Sequence, residues 1–177
     1  MVQRLFSLAL ILPFLFISYL ESAVAQAFDP YLAPRLGVSL ATLQTALEKA
    51  AGPVTFTPRT GSQSTQEARL ADNTGIVQAG GDPGNLAAVV LWLPVDAQGK
   101  LAGAKARPCL TTFVELFTPE SEPVVRWIEQ MLERAIADTA TPTHLEAQLF
   151  AAHQFKALYT RTLSPAMLSL TVISARE

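Results

Sequence analysis

Ten consecutive residues, 86–95, read Leu-Ala-Ala-Val-Val-Leu-Trp-Leu-Pro-Val. Both alternating sets are apolar: Leu86, Ala88, Val90 and Trp92 on one side, Ala87, Val89, Leu91 and Leu93 on the other. A strand with one wet face alternates polar and apolar residues, so one apolar on both faces is central in its sheet or covered on both sides. Any fold for this chain has to be built around that strand.

The chain after this strand is turn-rich. Asp96-Ala97-Gln98-Gly99 reads as a turn, with Gly99 suited to a left-handed backbone. Residues 100–106 are expected to return as a strand, and Pro108 places that strand at an edge or a bulge. Residues 109–117 resume β character through Leu110, Thr112, Val114 and Leu116. Upstream, Asp72-Asn73-Thr74-Gly75 is a turn signal between residues 67–71 and 75–79, which predicts a hairpin. Residues 80–85, Gly-Gly-Asp-Pro-Gly-Asn, form the densest turn cluster in the chain. Residues 54–57 are a short β-prone run, and residues 58–66 are a polar loop.

Helical signals flank the strands. Ser39 is an N-cap candidate, followed by Leu40, Leu43 and Leu47 at helical spacing, and Gly52-Pro53 stops the helix. Thr118-Pro119-Glu120 opens a second helix running to about Asp138. Its apolar stripe is Val124, Trp127, Ile128, Met131, Leu132, Ala135 and Ile136, and Glu122 and Arg126 form an i,i+4 pair. Thr143 and Glu146 fit a capping box, which predicts a third helix over residues 143–154, although the same residues also fit a strand. Residues 155–163 and 167–174 read as two strands joined around Ser164-Pro165. Strands joined by tight turns pair antiparallel. The expected fold is α+β: an antiparallel sheet with two or three amphipathic helices packed mainly on one face, a two-layer sandwich.

Residues 1–25 read as a cleaved secretory signal peptide. Arg4 supplies the positive region, residues 5–20 are almost wholly apolar, and Ala23-Val24-Ala25 offers the small residues a signal peptidase needs. Sixteen residues fall short of the roughly 20 a membrane-spanning helix requires. An irregular lead-in, residues 26–38, and a single domain, residues 39–177, complete the expected organisation. No integral span is expected after cleavage, and the address is extracytoplasmic, periplasmic or secreted.

Composition narrows the function classes. The net charge is −2 and one residue in six is charged, so nucleic acid is not an expected partner. One cysteine excludes an internal disulfide framework. Cys109 with a histidine is the one catalytic pairing worth weighing, as in a small secreted hydrolase or thiol-dependent enzyme. Against it, Cys109 has no local signature and reads better as a small buried hydrophobe. An exposed thiol in an oxidising compartment would instead join two chains, so a homodimer is a second expectation. His144 and His153, the only histidines, are nine residues apart. That spacing puts them on opposite faces of one helix or one strand, so no metal pair is expected. Asn73-Thr74-Gly75 lacks the acid of an aspartic protease motif, and the glycine cluster at 80–85 leads into a strand without a lysine, unlike a phosphate cradle. No catalytic residue, cofactor site or metal site is assigned. The expected role is an exported non-catalytic domain for protein binding or envelope assembly.

Overall fold

The computed structural model describes residues 34–62 and 64–175. The expected signal peptide, and most of the expected lead-in, lie outside the described residues.

Helix α1, Leu40–Ala51, starts as its sequence demands: the Ser39 hydroxyl accepts the Thr42 N–H at 3.1 Å. It ends at Gly52, whose φ of 94° only glycine adopts without strain. Four strands come after it: β1, Thr57–Pro58; β2, Thr65–Arg69; β3, Ile76–Asp82; and β4, Asn85–Val95. The β2–β3 and β3–β4 connections are the two turns expected from Asp72-Asn73-Thr74-Gly75 and from the glycine cluster, with Asp72 and Asn73 both at positive φ. Two helices come next: α2, Ala106–Glu115, and α3, Ser121–Ala137. Strands β5, Thr143–Phe150, β6, His153–Thr160, and β7, Ala166–Ser174, finish the chain.

The seven strands of the described residues form one antiparallel sheet in the order β1-β2-β3-β4-β7-β6-β5. The doubly apolar strand β4 therefore holds the middle position, as its sequence requires. The α+β sandwich is the observed architecture.

One face of the sheet carries the core. Val77, Ala79, Val89, Leu91, Leu93, Leu168, Leu170, Val172, Phe155, Ala157 and Tyr159 all point there, and all are buried. Every buried side chain of the three helices belongs to the same core, including Leu43 and Leu47 of α1, Phe113 of α2 and Ile128 and Met131 of α3. Each such large side chain contributes roughly 1.5–3 kcal/mol through burial. Ala88 and Val90, on the other face of β4, are buried but lie outside that core. Residues 34–38 also join it: Leu36 and Val38 are buried, and their backbones exchange hydrogen bonds with Leu86 at 2.8 Å.

Three segments differ from the sequence reading, and the second predicted helix begins at Ser121, with Thr118 and Pro119 outside it. Residues 109–117, expected as β structure, are mostly helix α2. Ala106, Cys109, Leu110, Phe113 and Val114 recur at helical spacing and all are buried, a set that alternation through Leu110, Thr112, Val114 and Leu116 obscures. Pro108 sits in the first turn of α2, where the missing N–H costs no helical bond, so it marks no strand edge. The expected return strand over 100–106 is reduced to one bridge, Val95 to Leu101. Residues 143–154 form β5 and the start of β6 rather than a third helix. Leu145 and Leu149 stand four apart, the spacing at which helix and strand both put two side chains on one face, so it could not discriminate.

Polar contacts tie the layers together. Lys105 donates to Asp72 at 2.8 Å and to the Ala51 carbonyl at 3.3 Å, and Arg107 pairs with Glu129 at 2.8 Å. These two cations therefore join turns and helices. Arg161 donates to the Ala135 and Asp138 carbonyls at the C-terminal end of α3, where a cation also suits the helix dipole.

Candidate functional site

Cys109 lies in the first turns of α2 and is fully buried. Burial pushes its thiol up to about 12, because the apolar surroundings disfavour the thiolate. His144 hydrogen-bonds Glu146, His153 Nε2 meets the Leu36 carbonyl at 3.3 Å and His153 Nδ1 is buried without a partner, so among the described residues neither imidazole hydrogen-bonds the thiol. Nor is the thiol exposed for pairing with a second chain.

The histidines are placed differently from the sequence reading. The turn at Ala151-Ala152 puts His144 on β5 and His153 on β6, and both face the helix-covered side. They remain apart, because His144 pairs with Tyr159, six residues along β6 from His153. At strand rise that is about 20 Å. Among the described residues no three metal-ligating side chains gather at one point.

The densest polar cluster centres on Glu146, which the sequence offered only as a helix cap. Glu146 sits on edge strand β5 with its side chain turned toward α3, 24% exposed. Its Oε1 accepts from His144 Nε2 at 2.9 Å and from Arg134 Nε at 3.1 Å. Its Oε2 accepts the Trp127 indole N–H at 3.0 Å and Arg134 Nη2 at 2.8 Å. Partial burial by itself pushes the Glu146 carboxyl up. The hydrogen bonds from His144, Arg134 and Trp127 outweigh it and hold the carboxyl below its ordinary range. With every oxygen engaged by donors of its own fold, this carboxylate clamps β5 to α3 and has no free lone pair directed at a substrate.

The remaining surface of interest is the sheet face away from the helices. Strand pairing aligns Leu145, Leu158, Ser169, Trp92 and Ile76 in one row across five strands. A parallel row holds Leu149, Gln154, Ile173, Ala88 and Gly80. Leu145 and Leu149 are exposed at 65% and 61%, and Trp92, Leu158, Met167 and Ile173 are half-buried. The Trp92 indole N–H has no acceptor among the described residues. Charge comes to this face in the row through Lys156 and at the β2 end with Glu67 and Arg69, where Arg59 pairs with Glu67 at 4.0 Å.

Comparison with protein-family models, curated proteins and solved structures finds no match to this chain. Among the described residues no helix is long and apolar enough to cross a membrane.

Proposed function

We propose that this chain is an exported, non-catalytic domain that binds another protein of the cell envelope through the helix-free face of its sheet. The observation that carries this reading is the one-sided core. Among the described residues all three helices bury their apolar side chains on one face, while the other carries exposed Leu145 and half-buried Leu158, Trp92, Ile76, Met167 and Ile173 with few charges. An apolar surface rimmed by polar groups is the common signature of a protein-binding site. The export half of the reading rests on the N-terminal sequence.

The thiol-enzyme alternative finds no support in the geometry. A nucleophilic cysteine needs access and a lowered pKa, whereas Cys109 is buried with a raised one.

Crosslinking capture of the tagged protein from its native envelope tests the proposal when run on three forms: unaltered, Cys109→Ser and Ile173→Lys. A partner captured by the first two and lost with Ile173→Lys supports binding through this face. Equal capture by all three, or loss with Cys109→Ser alone, contradicts it.

A further inference from the structure

The two edges of the sheet are built differently. Edge strand β1 is two residues long and contains Pro58, so it offers almost nothing to pair with. Edge strand β5 has eight residues, a continuous register with β6, and no proline, lysine or bulge. Among the described residues no strand pairs with its outer side.

The backbone phase of β5 is fixed by its hairpin. Phe150 and His153 flank a two-residue turn, and Arg161 N–H donates to the Pro142 carbonyl at 3.1 Å. Antiparallel ladders bond alternate residues, so the even residues of β5 bond to β6. The odd ones, Thr143, Leu145, Ala147 and Leu149, direct their N–H and C=O groups outward. Their side chains occupy the helix-free face, where Leu145 and Leu149 are two of the three large apolar side chains left exposed among the described residues.

We propose that β5 pairs antiparallel with β5 of a second copy of this chain, about a two-fold axis at Ala147. In that register Leu145 stands opposite Leu149 of the second copy, twice, and Ala147 stands opposite itself. The only acid of the strand, Glu146, faces Gln148 of the second copy. Moving the axis to Glu146 would set two carboxylates opposite each other, which like-charge pairing disfavours. Centring on Ala147 is therefore the self-complementary choice, as a closed two-fold dimer requires. The two sheets join into one of fourteen strands, and the four leucines close over the seam. One strand pair and four leucines make a small interface, so the dimer dissociates on dilution.

Sedimentation equilibrium of the purified protein tests the proposal together with Ala147→Pro, Ala147→Cys and Thr143→Cys. The unaltered chain is expected to pass from monomer to dimer as its concentration rises. Ala147→Pro removes an outward N–H that β6 does not use. It is expected to weaken the dimer at least tenfold with little change in thermal midpoint. Under air and copper-phenanthroline, Ala147→Cys is expected to give a disulfide-linked dimer. Thr143→Cys is not, since that register holds the two Thr143 positions eight residues apart, about 27 Å. The crosslinking arm reads the register even if the proline variant folds poorly. A chain monomeric at every concentration, a dimer insensitive to Ala147→Pro, or crosslinking at Thr143 in place of Ala147 overturns the proposal.

Discussion

Glu146→Gln isolates the carboxylate that fastens the outer strand to its helix. The substitution keeps size and shape, so the Trp127 indole N–H still finds an amide oxygen. It removes the charge facing Arg134, whose guanidinium makes three contacts of 2.8 to 3.1 Å with the carboxylate. A charge-assisted hydrogen bond contributes roughly 1.5–3 kcal/mol when shielded, and an exposed ion pair 1 kcal/mol or less. Glu146 is 24% exposed and Arg134 52%, which places this pair between those limits. The expected loss is about 1–2 kcal/mol at pH 7, or roughly 5 °C in thermal midpoint. The pH dependence follows from the lowered carboxyl. A group whose folded pKa lies below its unfolded value stabilises the fold above the unfolded value, near 4.3 for glutamate. That contribution fades as pH falls through the lower folded value. Urea unfolding of both proteins from pH 7 down to pH 3 should therefore show a gap that is widest at neutral pH and narrows on acidification. Equal stability at pH 7, or a gap that stays constant into acid, would refute the assignment of Glu146 as a charged clamp.

Gly75→Ala should cost about 2–3 kcal/mol in equilibrium unfolding, because a Cβ there would meet the Trp92 carbonyl oxygen at 2.2 Å. Phe155→Ala, which empties a fully buried site under the helices, should cost about 3–5 kcal/mol by the same measurement. The Cys109 thiol should resist a thiol-reactive disulfide reagent at pH 8 in the folded protein and react at once in denaturant. With its titration pushed up to about 12, the thiolate fraction at pH 8 is only about one part in ten thousand.

The sequence spoke clearly where one periodicity had no rival. The run at 86–95 announced a central strand, Ser39 and Gly52 bounded α1, and the apolar stripe of α3 followed a helical period over four turns. It misled where two periods overlapped. In α2, buried Cys109, Leu110, Phe113 and Val114 were interleaved with threonines that also suit a strand. In β5, the leucines four residues apart fitted either state, and tertiary pairing with β6 decided between them. The Glu146 cluster was not legible at all. Its members lie on α3 and β5, and nothing in their spacing shows that Trp127, Arg134 and His144 converge on one carboxylate. The helix-free face became visible only once the register set Leu145, Leu158, Trp92 and Ile76 in a single row.

That face carries the functional reading, so the most direct measurement asks what touches it in the cell. A photo-crosslinking residue placed at Thr171, in the middle of the face beside Val90 and Lys156, should give one discrete adduct with an envelope protein. The same residue at the exposed Glu133 of α3, on the helical layer, should give none. Adducts from Glu133 with none from Thr171, or no adduct from either position, would contradict the assignment of the sheet face away from the helices as the binding surface.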